Sequence, residues 1–170
     1  VEDWVVGRDA NLEFATLSAG GEYCKCDIRV ELSEKGSECH GSVAIHGTSK
    51  RHDDHHFEIT HSSGYTNSGL VIHAACDDNS RSISTGLLKI KTDCDGSNAG
   101  QIFRNLLLSE KSRAESIPEL EVLSDDVKAA HGAASAPVSA EQLHYLMSRG
   151  LSKNSAEALI VEGFLMDAFK

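Results

Sequence analysis

Between Tyr23 and Leu32 the chain alternates without a break. Cys24, Cys26, Ile28, Val30 and Leu32 fall on one face, and Tyr23, Lys25, Asp27, Arg29 and Glu31 on the other. A two-residue period of this kind is a strand with one face buried and one solvated. Shorter runs with the same character follow around Val43–Ile45, Phe57–Ile59, Leu70–Ala74, Leu87–Ile90, Ile102–Leu108, Leu120–Val122 and near Val127. Turn-forming clusters punctuate them, as at Gly20-Gly21, Ser62-Ser63-Gly64, Asp77-Asp78-Asn79 and Asp95-Gly96-Ser97-Asn98. Many short strands with no helix between them predict a mainly β body: a sandwich, a barrel or a β-helix. Periodicity does not choose among the three, and no strict hexapeptide-type repeat is present.

After Pro137 the period changes. Ser139 suits an N-cap, with Gln142 three residues on as in a capping box. Leu143, Leu146 and Met147 then share a helical stripe, and Gly150 suits the position just past the helix end. Ser152 begins a second helix whose Leu159, Ile160, Gly163 and Phe164 again recur at helical spacing. The expected division is a β core over 1–136 and a helical segment over 137–170. Two short helices cannot bury both apolar stripes on each other. The remainder must pack on the β body, on further sequence or on a partner.

Composition narrows the function classes. With 26 acidic against 16 basic residues the formal charge is -10, which disfavours nucleic acid and anionic membrane as partners. No apolar run approaches the roughly 20 residues of a membrane span, and no secretory leader is recognisable. Five cysteines, odd in number and scattered in spacing, do not read as a disulfide framework and favour a reducing, cytoplasmic setting. No phosphate-binding Gly-x-x-x-x-Gly-Lys-Ser/Thr loop or Gly-x-Ser-x-Gly elbow is present, so ATP hydrolysis is not expected of this chain.

Four groups offer chemistry. In His52-Asp53-Asp54-His55-His56-Phe57-Glu58 an extended backbone puts His52, Asp54, His56 and Glu58 on one face and Asp53, His55, Phe57 and Ile59 on the other. His52, His56 and Glu58 are thus candidate metal ligands; the plainer reading is a polar strand surface. Cys24-x-Cys26 lies on an apolar face and reads as structural, since the second pair of a four-cysteine site is missing. Cys94, in a turn-like segment, is expected to be an exposed thiol. His131 stands among small residues in Ala129-Ala130-His131-Gly132-Ala133, with room around the ring.

The last third of the chain carries a recognisable series. Asn105-Leu106-Leu107-Leu108-Ser109-Glu110-Lys111 leads to Ile117-Pro118-Glu119-Leu120-Glu121-Val122, then Asp125-Asp126-Val127-Lys128 and His131-Gly132-Ala133. Glu141 to Gly150 and Ala158 to Phe164 complete it. In order and spacing this set resembles the SufB/SufD family of iron–sulfur cluster assembly scaffolds, over about residues 85–166. The chain begins at Val1 rather than Met, and the resemblance implies a piece of a longer protein.

The resemblance implies a right-handed parallel β-helix and a non-enzymatic scaffold. Such a subunit pairs with a SufB-type subunit or a second copy and docks the ATPase SufC, an iron–sulfur cluster passing transiently through the complex. In the SufD branch a histidine followed by glycine stands where His131-Gly132 stands here, and is implicated in cluster assembly at the subunit interface. In the SufB branch glutamate follows that histidine, and a cysteine occupies the place of Phe103. Both differences put this chain nearer SufD. The helical residues Leu143, Leu146, Met147, Leu159, Ile160 and Phe164 are then the expected ATPase-docking surface. Leu120, Val122 and Val127 are the expected dimer interface, and His131 is the cluster-assembly candidate. The rival reading from the residues alone is a metal-dependent β-fold enzyme built on His52, His56 and Glu58.

Overall fold

The computed structural model describes residues 1–170. Ten strands precede two helices: β1 (Glu2–Val6), β2 (Asn11–Ala19), β3 (Tyr23–Leu32), β4 (Glu38–Gly47), β5 (His52–His61), β6 (Asn67–Cys76), β7 (Arg81–Ile90), β8 (Asn98–Leu107), β9 (Arg113–Val122), β10 (Lys128–Pro137), α1 (Ala140–Ser148) and α2 (Lys153–Met166). Odd strands form one five-stranded sheet in the order β1-β3-β5-β7-β9, and even strands a second in the order β10-β8-β6-β4-β2. Every pairing is parallel. Parallel neighbours need a long crossover between them, and here the crossover is a strand of the opposite sheet. The chain therefore winds as a β-helix of about five turns, as the family resemblance implied.

Each turn repeats the last at a spacing of 29 to 31 residues through the middle of the coil: Glu38 lies beside Asn67, His52 beside Arg81, and Asn67 beside Asn98. The inward positions stack into columns. Val30, Ile59, Leu88 and Leu120 form one, and Thr16, Val43, Ile72, Phe103 and Ala133 another. Val30, Val43, Ile59, Ile72, Leu88 and Phe103 are all buried in one continuous core, and each such side chain contributes roughly 1.5–3 kcal/mol over its exposed state. The corners repeat too. Gly20, Ser49 and Asp78 follow the ends of β2, β4 and β6, and all three have positive φ (73°, 59° and 53°). Ser49 and Asp78 are tied across turns, the Ser49 amide donating to Asp78 Oδ2 at 2.8 Å.

The interior is not wholly apolar. His61 is fully buried, with Nδ1 2.7 Å from Thr66 Oγ1 and Nε2 2.8 Å from Ser68 Oγ. Cys94, expected to be exposed, is buried; its Sγ lies 3.4 Å from the His61 carbonyl. The turn after β7 folds inward over the end of the core, and burial pushes the Cys94 thiol pKa up, which disfavours the reactive thiolate.

Helix α1 starts at Ser139, whose side chain accepts the Gln142 amide, and Gly150 follows it with φ of 96°. Ser152 caps α2 by accepting the Ser155 amide. Helix α2 lies on the outer face of the even-strand sheet, where Val161 and Leu165 pack on Ala44, Ala75 and Leu106. His73 of β6 anchors the helix: its Nδ1 sits 2.7 Å from the Phe164 carbonyl, and its ring stacks on Phe164 at 4.8 Å.

Burial drives the His61 pKa down from 6.5 to about 4. The folded state therefore holds His61 neutral where the unfolded chain would bind a proton. Its contribution to stability is complete above pH ~6.5 and is lost as pH falls toward ~4, by roughly 3 kcal/mol in all. Urea titrations between pH 7 and 4.5 should show that loss, and His61→Gln should flatten it. An equally steep loss in the variant would assign the acid sensitivity elsewhere.

Candidate functional site

The solenoid ends in an open turn. Strands β9 and β10 each pair on one side only, with β7 and β8 respectively. Their other edges carry unpaired backbone donors and acceptors, the feature that lets a sheet edge pair with another chain. Their inward positions have nothing stacked beyond them. Val122 continues the buried column of His61 and Ile90, yet is 40% exposed. Leu120 and Val127 are partly buried against the core below.

His131 occupies this open face. It extends the column Phe14, Gly41, Leu70, Gln101, so strand alternation turns it toward the lumen. Gln101 beneath it is buried, whereas His131 is exposed because no further strand covers it. Its inward neighbours on β10 are Ala129 and Ala133, as the sequence suggested. Ala133 sits over Phe103, which is buried in the core. No thiol stands at that position, so the ring has no cysteine partner on the chain just below it.

Polar cross-ties hold the last turns. Gln101 Nε2 donates to the carbonyls of Gly86 (3.1 Å) and Glu119 (3.0 Å), joining β8 to both β7 and β9 across the lumen. Gly86 makes this possible, since a Cβ there would lie 2.6 Å from Phe103 Cζ and collide with Gln101 Oε1. Asn105 Nδ2 donates to Ser116 Oγ (3.0 Å) and Ser135 Oγ (2.9 Å). The terminal pair β9–β10 is thereby fixed in relation to the coil, and with it the position of His131.

Beside this end, the two helices enclose an apolar groove. Leu106, Tyr145, Leu146, Leu159, Ile160 and Phe164 line it. Of the residues expected on a docking stripe, Ile160 and Phe164 also pack against the sheet. Leu143 and Leu146 are half-buried, and Met147 and Leu159 are exposed at 43% and 49%. Sequence reasoning did not foresee the anchor made by His73, or the ion pair from Arg104 to Asp167 at 3.4 Å. Both depend on which strand face the helix covers.

The histidine-rich segment divides as strand geometry requires. His52, His56 and Glu58 lie on the outer face of β5, beside Tyr23, Asp27 and Arg29 of β3. They are not brought together as a ligand set. Three such donors converge instead on the inner face, where Cys24, Asp53 and His55 lie within 4.8 Å of one another. Asp53 is fully buried. It accepts hydrogen bonds from Arg51 Nε (2.8 Å) and Nη2 (2.7 Å) and from Ser18 Oγ (2.8 Å). Burial pushes the Asp53 carboxyl up, but hydrogen bonds from His55, Arg51 and Ser18 outweigh it and hold the pKa below its ordinary value. Finding this group from sequence required the register of β3 on β5, which local pattern does not supply.

Comparison with known proteins agrees with the resemblance noted above. A family model described as the SUF system FeS cluster assembly SufBD core domain matches residues 2–164. The iron–sulfur cluster assembly protein SufD of Bacillus subtilis is 32% identical over 159 residues, covering 94% of this chain and 36% of that protein. A SufBD family protein of Mycobacterium leprae is 29% identical over 172 residues, covering 94% of this chain and 43% of that protein. SufD of Escherichia coli is 24% identical over 162 residues, covering 95% and 38% respectively. The chain thus spans about two-fifths of the length of these relatives. With a match along nearly its whole length and the β-helix in place, the chain belongs to the SufBD family of iron–sulfur cluster assembly proteins.

Proposed function

We propose that this chain is the core of a SufD-type scaffold subunit that presents His131 at a subunit interface and docks a SufC-type ATPase through its helical hairpin. The observation that carries the reading is the open terminal turn. It combines free strand edges, an exposed lumen-facing histidine and no covering strand in this chain. A SufB-type subunit, or a second copy, would pair along β9 and β10 and cover Leu120, Val122 and Val127. His131 would then lie at the joint as a ligand or proton relay, and the iron–sulfur cluster would be cargo of the assembled complex. The absence of a phosphate-binding loop motif fits ATP hydrolysis in the partner. The setting proposed is the cytoplasm. No helix is long and apolar enough to cross a membrane.

The helical groove is the proposed ATPase site. Its apolar residues exceed what the hairpin and the sheet bury, and Leu159 and Met147 remain at the surface. An apolar groove between helices is a common seat for a partner. Leu159→Glu should leave the thermal melt unchanged and weaken binding of the cognate SufC-type ATPase at least tenfold by calorimetry. Unchanged affinity in this variant would move the docking surface elsewhere.

His131→Ala tests the histidine. The ring is exposed among alanines, so its loss should cost about 1 kcal/mol or less in stability. Cluster assembly in a cell dependent on the Suf system should fall sharply, while ATPase binding persists. A large drop in melting temperature, or unimpaired assembly, would remove His131 from the functional residues.

A further inference from the structure

The inner face of the first complete turns holds a second group of reactive side chains, about which the scaffold reading says nothing. We propose that Cys24, Asp53 and His55, with Cys26 as a fourth donor, form a binding site for a thiophilic divalent cation of the zinc type. Cys24 pairs with Asp53 and Cys26 with His55 on adjacent strands, so the four positions make a block on one face of β3 and β5. A donor atom from each of Cys24, Asp53 and His55 lies within 4.8 Å of the other two. His55 Nε2 and Asp53 Oδ1 are 3.4 Å apart. That contact orients the imidazole, as carboxylate partners of metal-bound histidines do, and leaves Nδ1 as the nitrogen free to ligate.

Two further observations point to a missing occupant. His55 is fully buried, and its Nδ1 has no hydrogen-bond partner. The hydroxyls of Ser82 and Ser84, beside Asp53 and His55 on the next strand, are also buried without partners. Buried polar atoms are normally satisfied, and here three unsatisfied ones surround the donor group. Charge balance also fits. Two thiolates and the Asp53 carboxylate would offset a divalent ion together with the Arg51 guanidinium. Arg51 and Ser18 would act as outer partners that fix the carboxylate, the arrangement common around metal ligands. Cys24 and Cys26 are only partly buried.

Alkylation mapping on the wild-type chain, fully reduced, tests the site without mutation. Iodoacetamide should label the partly buried Cys24 faster than Cys39, Cys76 and Cys94, which are buried and should react slowly in either state. One equivalent of Zn²⁺ should suppress labelling of Cys24 at least tenfold. Co²⁺ in place of Zn²⁺ should give a thiolate-to-metal charge-transfer band that saturates at one equivalent. Cys24→Ser should weaken the band by removing one of two thiolates, Cys24→Ser together with Cys26→Ser should abolish it, and His56→Ala, on the outer face, should leave it intact. Unprotected Cys24, a missing band, or a band left unchanged by Cys24→Ser would each overturn the proposal. So would loss of the band in His56→Ala. Because labelling is read on the unmodified chain, misfolding of a variant does not blunt the test.

Discussion

In-register parallel stacking at a spacing of about 29 to 31 residues is the constraint on which the rest of this molecule depends. Once His52 is beside Arg81 and Glu38 beside Asn67, each inward side chain has a defined neighbour above and below. A slip of one residue would turn the Val30–Ile59–Leu88 column outward and bring charged side chains such as Glu58 and Lys89 into the lumen. The register also delivers Gln101 to Gly86 and Glu119, and Asn105 to Ser116 and Ser135. Those ties fix the last turn, and the last turn fixes His131.

A solenoid has two ends, and its ends are where its strand edges are unpaired. Here the C-terminal end differs from the middle in chemistry as well as coverage. Its inward residues on β10 are small, apart from one imidazole, and its neighbouring sheet face carries the helical hairpin. Helix α2 is joined to the sheet by packing at Val161 and Leu165 and by the His73 anchor. A partner gripping the hairpin is therefore mechanically connected to β4, β6 and β8. Strand β8 in turn pairs with β10, which bears His131.

Much of this was legible in the chain, and the rest was hidden for identifiable reasons. Alternation from Tyr23 to Leu32 and the caps at Ser139 and Ser152 are local signals, and the structure has them where the pattern put them. The β-helix itself came from family resemblance. Its repeat was masked because a column tolerates unlike residues: Cys39, Ser68 and Ala99 stack in one, while Gly20, Ser49 and Asp78 share one corner conformation. The expectation of an exposed Cys94 failed because a polar turn was read as a surface turn, although it folds back over His61. The Cys24–Asp53–His55 group was invisible because it joins residues 29 apart whose pairing only the register defines. Alternation did separate the two faces of β5 correctly, yet it could not say that the inner one gathers the donors.

The claim that the β9–β10 edge is the assembly surface is tested most directly by backbone hydrogen exchange on the chain alone and mixed with a SufB-type subunit. The account predicts slowed exchange over Arg113–Val122 and Lys128–Pro137 in the complex, with His52–His61 unchanged. Protection confined to β1 and β2, or a complex formed with no protection of β9 and β10, would contradict it.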